Sequence, residues 1–104
     1  MKDIVIGEFL NSIKNMKNQI TRIYLFGSRT RDDFKPNSDY DLLLIVPKKE
    51  PKLIEKLYDL VVDIFLSTGR LISLKIFREE EFRKISSIPT PFMKKILTEG
   101  KIIG

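Results

Sequence analysis

The 104-residue chain contains no cysteine and no histidine. Without cysteine it forms neither disulfides nor thiolate metal sites, and without histidine it lacks the commonest general base and the commonest transition-metal ligand. Any metal it binds must therefore be hard and oxygen-liganded, which points to Mg²⁺ or Mn²⁺. Long apolar runs are missing too: none approaches the ~20 residues that span a bilayer. The first segment, MKDIVIGEFLNSIK, mixes charges with its apolar residues, unlike a secretory signal. The expected setting is cytoplasmic, with no membrane partner. Repeats, low-complexity tracts and flexible linkers are also absent.

What is present suits one domain, residues 1–104, with a core of modest size. The 42% hydrophobic fraction is ordinary for a globular fold. Nineteen Lys and Arg against fourteen Asp and Glu give a net charge of +5, which suits nucleotides, nucleic acid or an acidic partner. The lysines are spread along the chain, however, and a nucleic-acid surface calls for clustered basic residues with aromatics between them. Neither is evident, so nucleic acid is not an expected partner. A homo-oligomer stays open, because self-association depends on exposed apolar surface.

Ile6, Phe9, Leu10, Ile13, Met16 and Ile20 recur at spacings of three and four, which predicts an amphipathic helix over 4–19 with its apolar face on a sheet. Ile23 to Phe26 is a short strand stopped by Gly27. Residues 28–38 are polar, with a turn at Pro36-Asn37-Ser38. Asp39 to Val46 is a second strand whose unbroken apolar run after Asp41 implies burial on both faces and a central place in the sheet. A long helix follows from Pro51 to Thr68, capped by Gly69. Leu71 to Phe77 is a third strand, and Glu79 to Ile85 a short acidic helix. Thr90 caps a last helix that starts at Pro91, carries Phe92, Ile96 and Leu97 inward and ends near Gly100. Ile102-Ile103 adds an edge strand. The expected fold is α/β (α+β): a small mixed sheet of three to four strands packed against helices.

Chemistry concentrates in LFGSRTRDDFKPNSDYDLLLIV. Asp39 and Asp41 lie two apart on a strand, so their side chains leave one face with Cα atoms ~6.6 Å apart. Such a pair can flank divalent metals in phosphoryl or nucleotidyl transfer without any histidine. Gly27 allows a sharp turn and close ligand approach, and Ser28 can offer its hydroxyl and backbone N–H to a phosphate. Arg29 and Arg31 stand where they can reach phosphates. Taken singly, Asp-x-Asp is common at turns, Gly-Ser after a strand marks many ordinary turns, and a surface arginine is commonly just solvated. The combination carries the signal.

Strand, Gly-Ser, ten residues, Asp-x-Asp and apolar strand together resemble the signature of the DNA polymerase β-type nucleotidyltransferase superfamily. More narrowly, the segment resembles the minimal nucleotidyltransferases (MNT), small prokaryotic proteins that often form toxin–antitoxin pairs with HEPN-domain proteins. The helix before the motif and the ending PFMKKILTEGKII resemble that family as well. The resemblance implies the nucleotidyltransferase fold, ATP as nucleotide substrate, Mg²⁺ as cofactor and a HEPN-domain toxin as partner. It makes Gly27 and Ser28 the phosphate contacts, Asp39 and Asp41 the metal ligands, and AMP transfer to a hydroxyl of the toxin, a tyrosine, the reaction.

One departure stands against turnover. Active superfamily members carry a third carboxylate on the strand after the following helix, where this sequence offers Ser73 and Lys75. Asp63, four residues after Asp59, reads as a solvated helix face, and Glu79, Glu80 and Glu81 as the acidic first turn of a helix, with reach to the site left open. Two expectations follow: an adenylyl-transferring antitoxin, or an inactive binding module that neutralises its partner by contact.

Overall fold

A computed structural model describes residues 3–27 and 39–104. Its organising element is Tyr40–Val46, a strand buried on both faces because its apolar residues run without a polar alternation. In chain order the elements are α1 (Ile4–Ser12), β1 (Arg22–Phe26), β2 (Tyr40–Val46), α2 (Pro51–Thr68), β3 (Ile72–Arg78), α3 (Glu79–Ser86), α4 (Pro91–Glu99) and β4 (Lys101–Ile102). The sheet order is β3-β2-β1-β4, with β2 and β3 parallel and the other two pairings antiparallel. The mixed sheet and the central position of β2 are as the sequence predicts.

Side-chain alternation sorts the sheet into two faces. Tyr40, Leu42, Leu44 and Val46 pack with Ile23, Leu25 and Ile72 against α1 and α2, where Phe9, Leu57 and Ile64 are buried. Leu43, Ile45 and Phe26 face the other way, onto Met93 and Ile96 of α4, with Phe77, Phe82 and Phe92 at the margin. A single strand thus feeds two cores. The α4 side carries the candidate site.

Pro51 opens α2, and Gly69 closes it in the left-handed region at φ 73°, which a glycine adopts without a Cβ penalty. Thr90 caps α4 by accepting from Met93 N at 3.2 Å. In two places the structure departs from the sequence reading. The helix predicted over 4–19 is α-helical only to Ser12, and Lys14–Gln19 winds as a 3₁₀ turn. Asn11, Ser12, Asn15 and Asn18 are poor interior helix formers, and the tighter winding still sets Met16 and Ile20 against the core. Leu97, expected to face inward, is 61% exposed, because Met93 and Ile96, three apart, form the buried stripe of α4.

Ile4, Leu66, Leu97 and Ile102 are the most exposed large apolar side chains among the described residues. No described helix is long and apolar enough to cross a membrane.

Candidate active site

Asp41, the second residue of β2, lies between two neighbours: Phe26 of β1, its antiparallel partner, and Ser73 of β3, its parallel partner. Residues paired in register point to the same side, so Asp41 and Ser73 share the α4 face, followed by Leu43 and Lys75 one pair further along. Asp39 is exposed just ahead of the strand. Strand alternation directs it to the side of Asp41, while Tyr40 between them turns to the opposite core.

Tyr40 does more than fill that core. Its hydroxyl donates to Asp3 Oδ2 at 2.7 Å, and Asp3 Oδ1 caps α1 by accepting from Val5 N and Ile6 N at 2.9 and 3.2 Å. The residue between the two aspartates is therefore tied to the first turn of α1, which steadies the strand end that presents the carboxylates. Sequence reasoning missed this anchor. The available signal was a tyrosine at an inward strand position, since a buried phenol usually finds a partner for its hydroxyl.

Gly27 follows β1 with φ at 79°, a conformation that L side chains rarely adopt. A Cβ built on Gly27 would sit 3.3 Å from Asp41 Cγ and overlap Asp41 Oδ2 outright. Glycine is thus required twice at this position, by the backbone turn and by the carboxylate packed against it. The two halves of the sequence motif meet at this contact, between residues fourteen apart in the chain. Ser28, Arg29 and Arg31, and the turn expected at 36–38, lie outside the described residues.

Burial pushes the Asp41 carboxyl above the ordinary carboxylate value. The Lys75 ammonium pulls it back down, Asp39 pushes it up again and Lys95 of α4 pulls it down, in decreasing order of effect. The site is consequently two acids with two basic side chains in electrostatic reach. Lys95 carried no signal in the sequence, because only the packing of α4 under the sheet brings it there.

The other carboxylates go elsewhere. Asp63 is exposed on α2, on the far face of the sheet, as a solvated helix position. Glu79, Glu80 and Glu81 form the first turn of α3, beyond the Val46 and Arg78 ends of β2 and β3. There Glu79 accepts from Thr21 Oγ1 at 2.7 Å, and Glu81 pairs with Lys49 at 3.1 Å and Arg78 at 3.2 Å. Five residues of strand separate them from Asp41, ~16 Å at the usual rise, so the reach to the site left open in the sequence does not exist. Among the described residues no group of three or more potential metal-ligating side chains comes together. The pair that remains has the chemistry of a hard divalent-cation site: carboxylate oxygens only, one carboxylate in a space that a glycine leaves open.

A glycine turn packed on a strand carboxylate, on a mixed sheet backed by helices, leaves room for a hard cation and a phosphate to approach together. Residues 8–104 match the family model described as polymerase beta, nucleotidyltransferase, and the chain belongs to that family. A Methanocaldococcus jannaschii protein provisionally named a protein adenylyltransferase is 32% identical over 99 residues, covering 94% of this chain and 93% of its own. A crystal structure of a toxin–antitoxin with AMP-PNP shares the fold with TM-score 0.59 at 16% identity, over 93% of this chain and 70% of that one. The tri-AMPylated Shewanella oneidensis HEPN toxin in complex with its MNT antitoxin matches with TM-score 0.55 at 15% identity, over 98% of this chain and 71% of the other. At those identities the structural likeness is one of fold.

Proposed function

We propose that this protein is a minimal nucleotidyltransferase acting as the antitoxin of a HEPN-domain toxin, transferring AMP from ATP to a toxin hydroxyl, a tyrosine. The observation that carries the reading is the contact between Gly27 and Asp41, which joins the turn and the metal-type acids into one site. The name borne by the Methanocaldococcus jannaschii relative and the AMPylated toxin in the Shewanella oneidensis complex supply the acceptor class. In the transfer, the acceptor oxygen bonds to the α-phosphorus, the bond from that phosphorus to the bridging oxygen breaks, and pyrophosphate leaves with the electron pair. The hydroxyl proton passes to the exposed Asp39 carboxylate or to water.

Asp39 and Asp41 would hold the divalent cation, Mg²⁺ or Mn²⁺. When bound it offsets phosphate charge and sharpens the nucleophile. Gly27 lets the phosphates approach the backbone, and on sequence position Ser28, Arg29 and Arg31 add donors to them. Tyr40 keeps the carboxylates at a fixed strand end.

The register favours a second reading in one respect. Ser73 stands opposite Asp41 where a third acid would complete the site, so the chain can neutralise its partner by contact without turnover. One assay separates the two. The purified chain, the HEPN-domain partner, labelled ATP and Mg²⁺ are incubated together, and label on the partner is measured. Transfer that vanishes in Asp39→Asn and Asp41→Asn establishes the enzyme. A stable complex with no label establishes the binding module.

A further inference from the structure

The position that lacks an acid is not electrically empty. Lys75 stands on β3 one pair beyond the Asp41–Ser73 pair, on the same face of the sheet. Lys95 comes to that face from α4, whose Met93 and Ile96 are buried against Phe26, Leu43 and Ile45. Both lysines are exposed, and among the described residues neither forms an ion pair, although Lys49, Arg78 and Lys84 each do. Both act electrostatically on Asp41. Two ammonium groups from separate elements thus stand within electrostatic reach of one carboxylate without pairing with it.

We propose that Lys75 and Lys95 form an anion subsite that takes the polyphosphate end of the nucleotide. The proposal rests on the nucleotide reading of the site and adds the residues that hold the β- and γ-phosphates. Ammonium groups are strongly hydrated point charges that suit phosphate oxygens, and their flexible stems let two of them close on a chain of phosphates. A nucleic-acid backbone would call for a stripe of such groups along a surface, whereas here two of them stand on the sheet face that carries Asp41. When the bond between the α-phosphorus and the bridging oxygen breaks, the negative charge that accumulates on the departing pyrophosphate falls beside two positive charges. A basic group thus stands on β3 one pair beyond Ser73, the position that lacks the third carboxylate.

The probe is inorganic tripolyphosphate, measured by titration calorimetry in EDTA so that no divalent cation contributes. The unmodified chain is expected to bind it with an affinity that falls as salt rises. The K75M/K95M chain should bind at least tenfold more weakly, K75R/K95R should recover binding, and Lys56→Met on the far face should leave it unchanged. All four chains should show the same melting temperature, since the three lysines are exposed. Absence of binding by the unmodified chain overturns the subsite. So does equal binding by the double methionine variant, or an equal loss in Lys56→Met. The AMP-transfer assay keeps the two readings apart: unchanged transfer in the double variant removes the subsite and leaves the enzyme, whereas lysine-dependent tripolyphosphate binding without any transfer removes the enzyme and leaves the subsite.

Discussion

At the scale of single residues, Gly27 and Glu99 are predicted to respond to substitution in opposite directions. Gly27 sits at φ 79° against the Asp41 carboxylate, so Gly27→Ala must accept a left-handed backbone and displace that carboxylate. The conformational part costs about 1–2 kcal/mol. A lower melting temperature is expected, together with loss of divalent-cation binding by calorimetry; a variant that binds the cation unchanged would disprove the packing argument. Glu99 ends α4 with its Oε2 buried and, among the described residues, without a hydrogen-bond partner, and its charge lies at the helix end that disfavours anions. Glu99→Met should therefore stabilise the fold, by about 1 kcal/mol on the usual scale for an unsatisfied buried group. Denaturant unfolding measures it, and a loss of stability would show that the carboxylate has a partner in solution.

Among the elements, α3 shows how a surface helix start is held, with its three acids in the first turn as the sequence predicts. Glu81 accepts from Arg78 N at 3.0 Å and Arg78 Nε at 3.2 Å, and it pairs with Lys49, so its carboxyl is drawn down to about 2. A carboxyl lower in the folded state than in the unfolded one stabilises at pH values above its ordinary value of 4.5, and that contribution is lost as pH falls toward about 2. Glu81→Gln should accordingly lower the melting temperature at neutral pH, and the difference from the unmodified chain should disappear as pH is taken down through that window. A difference that persists undiminished at pH 2 would assign the effect to packing. α2 was readable from end to end, because Pro51 and Gly69 mark its termini by backbone restrictions that need no tertiary context. The boundary of α1 was not, since the switch to 3₁₀ winding at Lys14 keeps the same apolar residues inward and leaves the periodicity almost unaltered.

For the whole molecule, the expected signature of the site is ligand-linked stability. ATP with Mg²⁺ at a hundred times its dissociation constant should stabilise the folded chain by about 2.7 kcal/mol, which raises the melting temperature by several degrees for a domain of this size. EDTA, Asp39→Asn or Asp41→Asn should abolish that rise, and a rise that survives all three would place the nucleotide elsewhere. What the sequence determined by itself was local or periodic: the capped helix α2, the two-sided burial of β2, the carboxylate pair, and the exclusion of nitrogen and sulfur metal ligands. Those features follow from single residues and from spacings of two and three to four, which physics reads without knowing the fold. Tertiary structure alone decided that Gly27 packs on Asp41, that Tyr40 is tied to Asp3, that Glu79, Glu80 and Glu81 stand at the wrong end of the sheet and that Lys95 joins Lys75 beside the site. Each of these is a contact between residues distant in the chain, and strand register and helix packing, which bring them together, are properties of the whole sheet.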